Sequence, residues 1–276
     1  MIEQQWQSDF LQASPLFSPL CRAGFHLENL KDWPNIEDLN DRLANHFQTI
    51  KTVSGHPVSF VSQDTFVDEF AGRYEPRIYL AGEIQTRTKN WHDFFNALVW
   101  LTFPRAKAKL NQLHYQALLQ ELETKKTCRG PLRDAATLFD ESGVVVVSSH
   151  RQLSRLLQDF EWKALFWEQR ALLSSHMRFF IFGHGLYEKA LNPYVGMTGK
   201  GVVLSVATDF FSESLQTQLM IVDGMLMEFI GRHLAKSTDL TPVPLLGYPG
   251  WSLDNNDSRY YDNNRYFRTR PKTVEK

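Results

Sequence analysis

Asn90-Trp91-His92-Asp93-Phe94-Phe95-Asn96-Ala97-Leu98-Val99-Trp100-Leu101 is the stretch that sets the character of this chain. It reads as a helix that is apolar around most of its circumference, interrupted by Asn90, His92, Asp93 and Asn96. A helix apolar on every side is buried, and polar groups carried into a core need partners there. At about 100° per residue, His92, Asp93, Asn96 and Trp100 share one face. Asn90 as N-cap and Asp93 at the third helical position form a variant of the capping box. That accounts for two of the four polar residues and leaves His92 and Asn96 without a local role.

Phe103-Pro104 ends this helix, and Pro104 suits the first turn of the next, which is expected to run to about Lys125. There Asn111 and His114 lie close to the apolar stripe of Leu110, Leu113, Ala117 and Leu118. Consecutive helices are usually neighbours in space, so His92, Asn96, Asn111 and His114 could converge. Each histidine is equally readable as a core residue held by one hydrogen bond.

Outward from these helices the pattern is mixed. Ile36 to Ile50 reads as an amphipathic helix with Ile36, Leu39, Leu43 and Phe47 on one face. Pro57-Val58-Ser59-Phe60-Val61 alternates as a strand does, and Glu75 to Ala81 reads as a second extended piece closed by Gly82. A short helix is expected over Arg133 to Phe139. Val144-Val145-Val146-Val147 follows as a fully buried strand, and Val202 to Val206 as another. Gln152 to Leu191 reads as helical with a break near Gly183 or Gly185, and Leu215 to Ala235 as a long buried helix. The fold class is α+β: a predominantly helical single domain with a small β-sheet. Residues 1–30 form an irregular lead-in, 31–267 the globular domain and 268–276 a flexible basic tail.

Two further clusters carry chemistry. Asp140-Glu141 stand before the valine strand, placed for acid/base work or a hard cation, or for an ordinary turn with Gly143 at the bend. Arg133 and Asp134 could keep them company. In Phe182-Gly183-His184-Gly185-Leu186-Tyr187-Glu188, His184 and Glu188 are four apart. A carboxylate accepting one ring N–H would fix the tautomer of His184, while the flanking glycines leave the ring approachable. The bland alternative is a helix break with a surface His–Glu pair.

Composition narrows the field. The chain has 276 residues, a formal net charge of -1 from 30 basic and 31 acidic residues, and 43% hydrophobic residues including 20 Phe and 7 Trp. Such a balance gives no pull toward nucleic acid or an anionic membrane, and no apolar run is long enough to span one. The interleaved basic and aromatic residues of Arg259 to Arg268 could stack on bases, but pinning the tail to the core is the plainer reading. Cys21 and Cys128 form no metal or redox motif, and Met1 to Gln7 carry no signal-like pattern, so a reducing cytoplasmic setting is expected. Gly196 to Gly201 only superficially suggests a phosphate loop, because Tyr194 and Gly201 stand where Gly and Ser/Thr are required. No nucleotide fingerprint, H-E-x-x-H, G-x-S-x-G or paired E-x-x-H is present. A bound metal would therefore use scattered ligands.

Taken together, Arg87 with Asn90 to Leu98, Phe103-Pro104, Lys107, Leu110-Asn111 and His114, then Leu138 to Gly143, Phe182 to Glu188 and Pro244 to Trp251, resemble a bacterial family catalogued as the domain of unknown function 3025 family. The resemblance runs from about Val58 to about Arg268. It implies a single soluble bacterial domain and brings no activity, cofactor or catalytic residue.

The residues themselves point to an acid/base or metal-assisted enzyme, hydrolase-like, acting on a small polar or anionic substrate. His92, His114, Asp140, Glu141 and His184 are the catalytic candidates, and Arg87, Asn96, Asn111 and Arg133 the substrate-binding ones. A divalent metal, if used, would draw on His92, His114, Asp140 and His184. The alternative is a non-catalytic module binding a ligand, a protein or nucleic acid, in which the buried polar groups fix helix register. The oligomeric state is not encoded in any pattern above.

Overall fold

The structure is a computed structural model that describes residues 4–63, 69–124 and 129–270. Cys128, the helix end expected near Lys125 and residues 271–276 of the expected tail lie outside them. Ten helices in the described residues surround two small sheets, as an α+β domain. The helices are α1 (Phe10–Ala13), α2 (Ile36–Ala44), α3 (Tyr74–Ala81), α4 (Trp91–Thr102), α5 (Pro104–Glu123), α6 (Pro131–Ser142), α7 (Arg151–Gln158), α8 (Arg170–His176), α9 (His184–Ala190) and α10 (Leu215–Arg232). The strands are β1 (Ser59–Ser62), β2 (Glu83–Thr86), β3 (Gly143–Ser148), β4 (Met177–Ile181), β5 (Thr198–Ser205) and β6 (Thr241–Pro244).

The valine strand β3 is buried along its whole length. It runs between β4, its antiparallel neighbour, and β5, its parallel one, with β6 outside β5. β-branched side chains suit a strand covered on both faces. Strand β4 lies inside the segment read as helical from Gln152 to Leu191. That reading fails because Phe179, Phe180 and Ile181 gain more by pairing with Val146, Val145 and Val144 than a helix would give them. Tyr74–Ala81 is likewise a helix and not an extended piece. Gly82, in the left-handed region at φ 76°, caps it, and Pro76 sits harmlessly in its first turn.

Antiparallel pairing of β3 with β4 fixes the place of the site. Val144 pairs with Ile181, so the residues just before β3 lie beside those just after β4. The Gly183 N–H donates to the Gly143 carbonyl at 2.9 Å. A Cβ on Gly183 would meet backbone nitrogens of Ser142 and Gly143 at 2.5 Å, so glycine is required for this approach. The end of α6 and the start of α9 are thereby brought together.

Helix α4 packs against α9 and meets the end of α6 through His92. Its Trp91, Phe94, Phe95, Leu98 and Trp100 are buried. Trp91 stacks on Trp6 with ring centroids 5.0 Å apart, and Phe95 stacks on Phe17, which in turn stacks on Tyr187 of α9. The segment read as an irregular lead-in thus supplies core: Phe10, Leu16, Phe17 and Leu20 have no exposed surface. Its Gln4 accepts from the Trp91 N–H and donates through Nε2 to Glu188. At the other end, Tyr261, Tyr266 and Phe267 are buried and hold the tail against the body.

Candidate metal centre

Helix α6 continues through Asp140, Glu141 and Ser142, so the two carboxylates stand on its last turn and not in the expected turn before β3. Carboxylates at a helix C-terminus face the negative end of the helix dipole and need nearby positive charge. They find it in different places, because neighbours on a helix point about 100° apart. Asp140 turns inward and accepts from the buried ammonium of Lys107 on α5. Glu141 turns outward to His92 on the first turn of α4 and His184, the first residue of α9.

The three groups meet tightly. His92 Nε2 lies 2.9 Å from His184 Nε2, and Glu141 Oε1 lies 3.6 Å from the former and 3.5 Å from the latter. These atoms are corners of a triangle whose circumscribed circle has a radius of about 1.9 Å. A cation with bonds of about 2.0–2.1 Å would sit just out of their plane without any side chain moving far. Two imidazoles and one carboxylate are ligands suited to zinc in hydrolytic sites or to ferrous iron.

The two outer nitrogens differ: that of His92 is hydrogen-bonded and that of His184 is buried without a hydrogen bond. His92 Nδ1 faces Glu188 Oε2 at 3.2 Å, and His184 Nδ1 faces Asp140 Oδ2 at 3.7 Å. The Glu188 carboxylate behind His92 fixes that ring's tautomer and aims its Nε2 at the triangle, while the His184 ring is set by its buried place at the start of α9, with Asp140 near its Nδ1 but not hydrogen-bonded to it. The His184–Glu188 pair expected from their spacing is not formed. A side chain at the first helical position leans back over the turn before it, toward α6 and away from Glu188, which turns to α4.

The charges on these groups are strongly coupled. Glu141 and then Glu188 push the His92 imidazole up to about 10, against the opposing effect of burial. Burial works to raise the Glu141 carboxyl, but the two imidazoles, His184 first, hold it far below the usual range. Asp140 is also lowered: burial opposes this, and the Lys107 charge outweighs it. At 2.9 Å the two facing Nε2 atoms have room for a single proton between them, and the tautomers decide which ring donates it.

A cavity of about 380 Å³ opens over the triangle. The structure brings His92, His114, Asp140, Glu141, His184, Arg87 and Asn96 to its wall. His114 is buried, and among the described residues nothing hydrogen-bonds to it. It stands apart from the three-atom triangle, as does Asp140, and Glu141 occupies the place given to them. Asn96 accepts from Lys107 and donates to the Tyr74 hydroxyl. Asn111 lies beneath, donating to Glu75. Arg87 grips Asp93 through its backbone N–H and guanidinium, so Asp93 serves the loop before α4 while Asn90 caps the helix. Arg133 opens on an adjacent groove, paired with Glu121.

Lys107, Glu188 as the partner of His92, and Tyr74 were not among the site residues chosen from sequence. A signal for Lys107 existed: Phe103, Lys107, Asn111 and His114 recur on one face of α5, which makes the lysine a buried one.

The family model described as "Protein of unknown function (DUF3025)" matches residues 58–271. The chain belongs to this family. Every cavity residue described above falls within the span matched to DUF3025, and Gln4, which braces Glu188, lies before it. No curated protein and no solved structure matches the chain.

Proposed function

We propose that this protein is a metal-dependent enzyme, hydrolase-like in its chemistry, that acts on a small polar or anionic substrate. The observation that carries the reading is the triangle of His92 Nε2, His184 Nε2 and Glu141 Oε1, which fits one divalent cation. Three protein ligands leave coordination positions open toward the cavity, and an ion bound there would activate water or polarise a carbonyl or phosphoryl oxygen. Glu188 orients the His92 ring, and Asp140 places a negative charge behind His184. His114, on the cavity wall and free of a hydrogen bond among the described residues, is placed to move a proton to or from the substrate. Asn96 and Tyr74 offer polar contacts, and Arg87 a positive edge for an anionic group.

A bacterial cytoplasmic setting suits this reading. No described helix is long and apolar enough to cross a membrane, and the near-neutral chain has no electrostatic footprint for nucleic acid.

The test begins with metal analysis of purified protein, followed by reconstitution with Zn, Mn or Fe. About one equivalent per chain is expected, lost in His184→Ala and Glu141→Ala. Ester, amide and phosphoester hydrolysis by the loaded protein should vanish in the same variants. Protein that neither carries nor accepts any of these ions overturns the proposal.

A further inference from the structure

A second cavity, of about 310 Å³, lies at the C-terminal end of α4, roughly 15 Å along that helix from His92. It has two kinds of wall. Leu101 and Pro104 meet Leu219 and Met220 of α10 on the apolar side. Leu215, Met220 and Phe47 are well exposed for residues of their size, at 37%, 50% and 50%. Phe47 is displayed in this way because α2 ends at Ala44, short of the helix expected to Ile50, which leaves the ring out of the core.

The other wall is cationic. Arg22, Arg42 and Arg105 all border the cavity. Arg42 is fixed by donating to the carbonyls of Arg22 and Ala23, and the Arg22 guanidinium lies over the Phe47 ring at 5.4 Å. Burial and then the charge of Arg22 lower the Arg42 guanidinium, a sign that the two cations feel each other. Among the described residues none of the three arginines forms an ion pair. Asp223, also on the wall, cannot answer them fully: its two oxygens accept the backbone N–H groups of Arg105 and Ala106 at the start of α5. Three cations facing a single carboxylate that is already engaged by backbone, beside exposed apolar surface, suit a ligand that supplies both an anion and an apolar body.

We infer that this cavity binds an amphipathic carboxylate with an unbranched apolar chain of medium length, its head on Arg22, Arg42 and Arg105 and its tail along Leu219 and Met220. The volume lies at the lower end of small-molecule sites and suits a chain of about ten carbons. The inference is independent of the metal centre.

Cys21 borders the same cavity and is exposed, which supplies a local reporter. The chain has only one other cysteine, so Cys128→Ser leaves Cys21 as the single thiol. In that background, decanoate below its micellar concentration is expected to slow alkylation of Cys21 several-fold and to bind by calorimetry. Arg22→Ala with Arg105→Ala should weaken binding at least tenfold, and Met220→Glu should abolish it. An unchanged circular dichroism spectrum and melting point for each variant show that the fold is intact, whether or not the other site holds a metal. Undiminished alkylation at saturating decanoate, equal binding of decyltrimethylammonium, or indifference to the arginine pair would overturn the inference.

Discussion

The Nε2 atoms of His92 and His184 face each other at 2.9 Å, from helices joined only through the body of the fold. Two ring nitrogens at that separation must hold either a proton or a cation between them. The exchange of one for the other has measurable consequences.

Because the proton on His92 is held up to about 10, a metal ion must displace it at neutral pH. Apparent affinity should therefore rise with pH, by up to about tenfold per unit below that value. Calorimetric titration in two buffers of different ionisation enthalpy should show about one proton released per ion bound. Affinity that is flat between pH 6 and 9 would contradict the shared-proton arrangement.

The same shift governs the stability of metal-free protein. A histidine raised from its ordinary value stabilises the fold fully below about pH 6.5, and the contribution is lost as pH rises toward about 10. Thermal melts of metal-free protein should fall across this window. His92→Asn should flatten that slope, since the asparagine does not titrate.

Glu188 touches the outer nitrogen of His92 and not the triangle. Glu188→Gln keeps the shape and removes the charge. Metal affinity should drop about 10- to 100-fold, and the metal-free protein should lose only the share of the His92 stabilisation that Glu188 supplies, the Glu141 share remaining. Competition with a chromophoric chelator measures the first and calorimetry the second.

Lys107 and Asp140 form a buried pair, their side chains 5% and 18% exposed. Lys107→Met strands the carboxylate and should cost about 3–5 kcal/mol in urea unfolding. Adding Asp140→Leu should restore much of that loss, because an apolar pair leaves no stranded charge. A double variant as unstable as the single one would show that the pair does more than neutralise itself.

Gly185 separates site from stability. A Cβ there would lie 2.7 Å from Glu141 Oε2, the end of a side chain that can swing aside, and 3.0 Å from the Glu141 carbonyl oxygen, which needs to give by only a few tenths of an ångström. Gly185→Ala should therefore displace the ligand and weaken metal binding more than it lowers the melting point. Gly183→Ala meets fixed backbone and should do the reverse, with about 1–3 kcal/mol or more of destabilisation.

Much of this was legible in the residues because burial and polarity conflict openly there. His92, Asn96, Asn111 and His114 stand out on helices whose other faces are apolar, and α4 and β3 follow their periodicity. What failed depended on contacts distant in the chain. Strand β4 forms only because β3 is there to pair with it. Asp140 and Glu141 could be told apart only once they were known to lie on a helix, where adjacent positions face different partners. Lysines are normally solvated, and the burial of Lys107 follows from Asp140, which is 33 residues away. The glycines beside His184 serve the backbone and Glu141 more than access to the ring.

Gln4 bridges Trp91 and Glu188, so it rests one side chain away from the His92 ring. That has a practical side for anyone purifying the protein. A polyhistidine tag joined a few residues before Gln4 would have the triangle within its tether's reach and compete for the same ion. Metal stoichiometry measured on such material would report the tag as much as the protein, and a C-terminal or cleaved tag avoids the ambiguity.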